Sequence, residues 1–204
     1  MTQAAREPIT FWFDFGSPYA WLASTQVEAV AQRCGRPVRW RAILLGVIFR
    51  STGMVPLGQQ PLRGDYARRD VARLARRAGL PFATPSPAPG TSVALGRVFH
   101  AIALRDHSLA ARFAREAFMA AFARGEVLGD ADPARAFAAR LGPVAEAAAA
   151  DALSPAARAA LRDATDEALA QGVFGAPFFT VDGEAFWGQD RLATLEAWLR
   201  EGPW

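Results

Sequence analysis

The stretch Phe11-Trp12-Phe13-Asp14-Phe15-Gly16-Ser17-Pro18-Tyr19-Ala20 decides the fold of this chain. It begins as an apolar, aromatic-rich run, which predicts a strand over residues 9–15 that is covered on both faces. Gly16 and Ser17 then form a turn, and Pro18 fits the first turn of a helix, where its missing N–H is harmless. A strand that runs into a helix with serine at the junction presents one hydroxyl group at a helix N-terminus. Unpaired N–H groups and the helix dipole favour an anion there, such as a thiolate.

A thiol at this position must come from a ligand, because the chain has a single cysteine, Cys34. No disulfide can form within the chain, so an oxidising compartment is not required. Cys34 falls on the apolar stripe near the end of the first predicted helix, and we expect a small core residue there. His100 and His107 have no cysteine or further histidine at ligand spacing, so no metal site is predicted.

Composition bounds the possible partners. The chain has 204 residues, of which 51% are hydrophobic and 21% charged, and it can bury a full core. All 23 basic residues are arginine, and they alternate with acidic residues instead of forming a stripe of one sign, which argues against a nucleic-acid partner. No apolar run reaches the roughly 20 residues that cross a membrane, and residues 1–8 lack the features of a signal peptide. We therefore expect a cytoplasmic protein with no nucleic-acid or membrane partner.

The order of the predicted elements indicates the architecture. A crossover helix of about 17 residues links the first strand to a second strand over residues 38–44, so the two strands should be parallel with a right-handed connection. Further along the chain we predict a loop (46–64), a helix (65–79), another loop (80–90), about five helices (91–171), a hairpin of two strands (178–181 and 184–187) and a final helix that opens at 188–190.

This order, β-α-β, then a helical block, then β-β-α, predicts an α/β fold: a thioredoxin-like domain with a large all-α insertion. Residues 1–46 and 172–204 would form the discontinuous thioredoxin-like domain, and residues 47–171 would form the helical insertion domain.

Three positions carry possible chemistry, each with a plainer structural alternative. Ser17 is either an ordinary N-cap, worth ~1 kcal/mol, or a donor to a ligand thiolate, and one hydroxyl can do both. Ala176 and Pro177 precede a buried strand; a cis proline there would leave the backbone of residue 176 to an extended peptide ligand, and the alternative is a turn proline. Gln189 and Asp190 either stabilise a helix start or hold an amino-acid zwitterion.

The aromatic residues divide in the same way. We expect Trp12, Trp21 and Trp40 in the core. A second group is either core or an aromatic wall for a ring-bearing substrate, and the sequence favours neither alternative: Phe49, Phe174 and Trp187.

Taken together, residues 13–19, 172–177 and 186–192 resemble the 2-hydroxychromene-2-carboxylate isomerases. These are bacterial relatives of kappa-class glutathione transferases, in the DsbA-type branch of the thioredoxin superfamily. The resemblance covers nearly the whole chain and includes residues 44–49 and 66–70. The three motifs in this order are specific, whereas any one alone is weak.

The resemblance implies a glutathione cofactor. Ser17 would hydrogen-bond the glutathione sulfur and lower its pKa. Ala176 and Pro177 would hold the cysteinyl backbone, and Gln189 and Asp190 would hold the γ-glutamyl end.

Arg50 stands where relatives often have lysine, and the resemblance implies that it lies near the glycyl carboxylate or the acidic substrate. Its planar fork binds a carboxylate through two hydrogen bonds. The chain departs from the family pattern at Met54 and Thr91, where relatives commonly have asparagine. The Met54 side chain cannot replace an amide's hydrogen bonds, so the departure concerns the substrate side of the site.

The implied activity is glutathione-dependent cis-trans isomerisation of 2-hydroxychromene-2-carboxylate or a related aromatic-degradation intermediate. Addition of the thiolate, bond rotation and elimination would return glutathione unchanged. The implied partner is a small aromatic carboxylate, and a homodimer is expected. Two alternatives stay open: a kappa-like glutathione transferase and a non-catalytic thioredoxin-like binding module. A disulfide oxidoreductase is excluded, because Ser17 and Ala20 occupy the positions of its two cysteines.

Overall fold

The computed structural model describes residues 7–83 and 91–204. Its strands are β1 (Ile9–Phe13), β2 (Val38–Ala42), β3 (Phe178–Val181) and β4 (Glu184–Trp187). They form one mixed sheet in the order β2-β1-β3-β4. β1 and β2 are parallel, whereas β3 is antiparallel to both β1 and β4.

Helices surround this sheet. The described residues contain α1 (Pro18–Ser24), α2 (Val27–Arg33), α3 (Leu45–Thr52), α4 (Arg63–Arg77), α5 (Thr91–Ala103), α6 (His107–Phe118), α7 (Ala131–Ala139), α8 (Pro143–Ala150), α9 (Pro155–Ala170) and α10 (Leu192–Glu201). Among these helices, none is long and apolar enough to span a membrane.

The core forms on both faces of β1, and every residue of this strand is buried. On one face, Phe11 stacks on Phe179 and Phe13 meets Phe99 edge to face, with ring centroids 5.2 and 5.3 Å apart. Trp12 points to the opposite face, into a separate apolar cluster with residues such as Ile48. Burial on both faces explains why the strand sequence is continuously apolar instead of alternating.

The thioredoxin-like fold is confirmed, with its parallel β1–β2 pair, its five α-helices over residues 91–170 and its C-terminal hairpin. The hairpin turns through Asp182 and Gly183, which both have positive φ, as a two-residue turn of this kind needs. Trp12, Trp21 and Trp40 are buried as predicted. The division at residues 46/47 and 171/172 stays a prediction.

The prediction of a single crossover helix of about 17 residues is wrong. The structure has two helices instead, α1 and α2, of 7 residues each. Three side chains at the break bond back to carbonyl groups of α1: Ser24 to Trp21 O at 2.6 Å, and Thr25 and Gln26 to Leu22 O at 2.8 and 3.3 Å. Side-chain donors of this kind compete with the helical hydrogen bonds and favour a helix end.

The predicted loop over residues 46–64 is also wrong in its first half, where the structure has α3. Its N-cap residue, Leu44, supplies no side-chain hydrogen bond. Instead, the Leu44 N–H donates to the Thr165 hydroxyl at 3.2 Å, and the Leu45 N–H donates to the Asp14 carboxyl at 2.8 Å. Because these partners lie far away in sequence, local composition could not reveal the helix.

Both N-terminal strands end two residues earlier than predicted, at Phe13 and Ala42. After Phe13 the backbone turns, and the Asp14 carbonyl accepts from Ser17 N–H at 2.9 Å. Of the loop predicted over residues 80–90, residues 84–90 lie outside the described residues.

Candidate functional site at the end of β1

Ser17 is the N-cap of α1 and only 7% exposed. Its Oγ accepts from the Ala20 N–H at 3.1 Å, as an N-cap does. The same hydroxyl donates to the Ala176 carbonyl at 2.9 Å. The N-cap prediction is therefore confirmed, and the single proton of the hydroxyl points at the residue predicted to hold the ligand backbone.

The peptide bond between Ala176 and Pro177 is cis, which decides between the two alternatives that the sequence left open for this proline. Ala176 is half-buried, and Pro177 directly precedes β3. The Pro177 carbonyl accepts from the Gly188 N–H at 3.0 Å, which ties the segment that follows β4 to the proline. Two of the predicted site segments, around residues 176 and 189, are thereby neighbours.

Two glycines permit close contacts around this backbone. A Cβ on Gly175 would overlap Nε1 of the Trp187 indole ring. A Cβ on Gly188 would lie 2.5 Å from Oδ1 of Asp190, and the φ of Gly188 is +115°, where other residues are strained. Any larger residue at either position would displace a side chain that borders the site.

Gln189 and Asp190 belong to a short 3-10 turn, Gln189–Arg191, that packs against α1. The Asp190 carboxylate is exposed and lies 3.6 Å from the Arg191 guanidinium. Its charge also acts on Tyr19, two residues beyond Ser17. The structure thus brings Asp190 to the same end of α1 as Ser17.

Tyr19 makes a link that the sequence did not reveal. Its hydroxyl donates to Asp70 of α4 at 3.1 Å, and Asp70 also accepts from Arg73 at 2.9 Å. Partial burial raises the pKa of Tyr19, and the nearby Asp70 carboxylate raises it further. Tyr19 therefore serves as a neutral hydrogen-bond donor that joins α1 to α4.

Arg50 lies in the last turn of α3 and is exposed. Within the described part of the chain it forms no hydrogen bond or ion pair with the other predicted site residues. The structure therefore groups Ser17, Ala176, Pro177 and the 189–191 turn, and leaves Arg50 as a guanidinium available to an anion.

Asp14 is the site residue that sequence reasoning missed. It is 3% exposed, and its carboxyl accepts hydrogen bonds from Gly16 N–H at 2.7 Å, Leu45 N–H at 2.8 Å and the Ser92 hydroxyl. Burial raises its pKa, and the three hydrogen bonds offset part of that effect. The one signal in the sequence was a charged residue that interrupts an apolar run.

Phe174 and Trp187 are not core residues. Their side chains are 37% and 51% exposed, and their rings meet edge to face with centroids 4.8 Å apart beside Gly175. Phe49 is half-buried.

Cys34 is buried at the end of α2, as predicted, and burial raises the pKa of its thiol. Within residues 7–83 and 91–204, no three histidine, cysteine, aspartate or glutamate side chains lie together so that they could hold a metal ion.

Known proteins share this architecture. A sequence profile of the DSBA-like thioredoxin domain matches residues 8–200. A 2-hydroxychromene-2-carboxylate isomerase from Sphingobium xenophagum is 31% identical over 94% of this chain and 97% of its own length. The chain belongs to this isomerase family, within the DSBA-like thioredoxin proteins. Family members also include a solved 2-hydroxychromene-2-carboxylate isomerase, which is 28% identical over 93% of this chain and 92% of its own, with a TM-score of 0.79.

Glutathione S-transferase kappa 1 from Homo sapiens is similar as well, 25% identical over 95% of this chain and 91% of its own. The likeness to the isomerase and to the kappa-class transferase extends along more than nine tenths of the chain.

Proposed function

We propose that the protein is a glutathione-dependent cis-trans isomerase of 2-hydroxychromene-2-carboxylate or a related aromatic-degradation intermediate. The observation that carries the proposal is the hydrogen bond from Ser17 to the Ala176 carbonyl, next to the cis Pro177, in a chain of the isomerase family. A member of a thioredoxin-like family with serine at this position needs a ligand to supply a thiol.

The chemical groups of the predicted site residues suit the three parts of glutathione. The backbone of Ala176 offers peptide hydrogen bonds to the cysteinyl unit, in the manner of an added strand. Asp190 is exposed and available to the γ-glutamyl amine, with Gln189 beside it. Arg50 is exposed and available to the glycyl carboxylate.

Ser17 would serve the sulfur through an exchange of hydrogen bonds. A hydroxyl has one proton to donate, and the Ala176 carbonyl accepts it in the structure. A ligand N–H that takes over this carbonyl releases the Ser17 proton for the sulfur. The bond from Ala20 N–H to Oγ is unaffected by this exchange and keeps the hydroxyl at the helix start.

When bound at Ser17 and Ala176, glutathione would supply a nucleophilic thiolate for reversible addition to the substrate double bond. The chain stabilises the thiolate with the Ser17 hydroxyl, and it orients the substrate. The exposed rings of Phe174 and Trp187, next to Gly175, provide an apolar wall for an aromatic carboxylate. A cytoplasmic homodimer completes the proposal.

The test is isomerase turnover measured with and without glutathione. We expect turnover to require glutathione, and the glutathione to be recovered quantitatively. Ser17→Ala should lose activity by orders of magnitude. The matched control is Ser154→Ala, because Ser154 caps α9 through the same kind of bond, to Ala157 N–H at 3.2 Å, away from the site. Turnover without glutathione, or equal activity in the two variants, would refute the proposal.

A kappa-like glutathione transferase is the second candidate, favoured by the similarity to the human kappa enzyme. It differs in one measurable respect: glutathione would be consumed in proportion to product. A non-catalytic binding module would bind without turnover, and Ser17→Ala would then change nothing in either assay.

A further inference from the structure

A single buried carboxyl joins the segments that build the thiol end of the site. Oδ1 of Asp14 accepts from the Gly16 N–H at 2.7 Å and from the Ser92 hydroxyl, while Oδ2 accepts from the Leu45 N–H at 2.8 Å. The Asp14 backbone carbonyl also accepts from the Ser17 N–H at 2.9 Å. One residue therefore contacts the loop before α1, the first residue of α3 and the first turn of α5.

Each of these bonds fixes an element of the proposed site. The bond to Gly16 N–H holds the residue directly before Ser17. The bond to Leu45 N–H provides the side-chain cap that α3 lacks locally, and α3 carries Arg50 in its last turn. The bond to Ser92 anchors the whole group to α5, whose residues Phe99 and Ile102 are buried in the core.

A buried carboxyl at this position lowers the stability of the fold unless it has a role beyond packing. Asp14 is buried, and no arginine or histidine of the described residues forms an ion pair with it. Taking an acidic group out of water without an opposite charge is unfavourable, and hydrogen bonds offset only part of the cost. The compensating advantage is that its two oxygens can serve three donors at once.

Gly16 supports this assignment independently. A Cβ on Gly16 would lie 3.1 Å from Asp14 Oδ1 and 3.2 Å from Ser92 Oγ. These distances are tighter than an ordinary van der Waals contact, so any side chain at residue 16 would press on the hydrogen bond between the two groups. The glycine allows the carboxyl and the hydroxyl to meet directly beneath the loop.

We infer that Asp14 is a positioning residue for the thiol-activating serine: it acts through the Gly16–Ser17 loop and, through Leu45, sets the placement of α3 relative to that loop. The inference rests on the proposed function, because its readout is the bound glutathione thiol.

The experiment is a pH titration of the thiolate absorbance of bound glutathione, in the ultraviolet, for wild type and three variants. In Asp14→Asn the amide can no longer accept on both sides, so the Gly16–Ser17 loop and α3 are no longer held by one side chain and the Ser17 hydroxyl is positioned less well. We expect the pKa of the bound thiol to rise by about one unit, a tenfold loss of thiolate at a pH well below that pKa. Gly16→Ala keeps the carboxyl but presses on the hydrogen bond between Asp14 and Ser92, and should raise the thiol pKa by a smaller amount.

The matched control is Gly46→Ala, the second residue of α3, where an added Cβ would meet no atom within 4 Å. It should leave the thiol pKa unchanged. Because the titration reports on ligand bound to folded protein, a loss of stability alone does not move it.

The outcomes separate positioning from charge. If Asp14 acted mainly as a negative charge near the thiolate, Asp14→Asn would lower the thiol pKa, and the inference would be overturned. An unchanged pKa in Asp14→Asn and Gly16→Ala would overturn it equally. If Asp14→Asn does not fold, Gly16→Ala decides alone. A wild type with no thiolate signal would remove the proposed function and this inference together, whereas a wild-type signal that both variants retain would remove only the inference.

Discussion

His100 should make the stability of the protein depend on pH. It is one of two histidines, it is 4% exposed, and its Nε2 lies 2.9 Å from the Ala42 carbonyl at the end of β2. Burial lowers the pKa of His100 from 6.5 to about 4; the hydrogen bond to Ala42 works against this shift, and the nearby Arg41 charge adds to it. The imidazole is therefore neutral in the folded protein at pH values where it is protonated in the unfolded chain.

The direction and the magnitude of this pH dependence follow from the difference in protonation between the folded and unfolded states. Between pH 6.5 and about 4 the unfolded chain binds one more proton at this position than the folded protein, so stability falls as the pH falls through this window. At pH values below the folded pKa, the shift lowers the free energy of unfolding by a total of about 3 kcal/mol. About 2 kcal/mol of this is lost between pH 7 and pH 5.

The perturbation is His100→Gln, since glutamine can still donate to Ala42 O and does not titrate. The assay is urea unfolding of wild type and variant at pH 7 and pH 5. We expect the wild type to lose about 2 kcal/mol more than the variant over this interval. Contributions from other groups, including the buried Asp14, are common to both proteins and cancel in the difference. His107→Gln, at the exposed histidine of α6, is the matched control. Equal losses in wild type and His100→Gln would refute the reasoning.

The remaining predictions concern the site. Asp190→Ala should raise the apparent Michaelis constant for glutathione more than it lowers turnover at saturation, since the carboxylate is proposed to bind and not to react; steady-state kinetics with the reverse pattern would contradict a binding role. Gly175→Ala should weaken glutathione binding in calorimetry, because its Cβ overlaps the Trp187 indole, whereas Gly172→Ala, with no atom within 4 Å of its Cβ, should lose only the stability that its φ of +75° costs. Equal binding losses in these two variants would show that the contact with Trp187 is unimportant.

The parts of the fold that the sequence predicts correctly are those with local signals. The aromatic run of β1 and the two-residue turn between the hairpin strands, Asp182-Gly183, both carry their own residue preferences, and the structure confirms both. Ser17 as an N-cap belongs to the same class, because proline follows it directly.

The parts that the sequence did not reveal depend on partners far along the chain. Helix α3 starts without a local cap, and its first N–H meets Asp14, 31 residues earlier. Tyr19 meets Asp70, and Ser92 meets Asp14, across separations of 51 and 78 residues. No spacing rule predicts such pairs. The split between α1 and α2 is a different failure, since three consecutive polar side chains at residues 24–26 were a readable signal of a helix end.

The most direct test of the central claim is glutathione binding by calorimetry together with an ultraviolet scan for thiolate, on wild type and Ser17→Ala. The account predicts that wild type binds glutathione and shows a thiolate band at neutral pH, and that Ser17→Ala still folds, with a stability loss of ~1 kcal/mol for the missing cap, but shows no such band. A band of equal strength in the variant, or no glutathione binding by wild type, would contradict the claim that Ser17 activates a bound thiol.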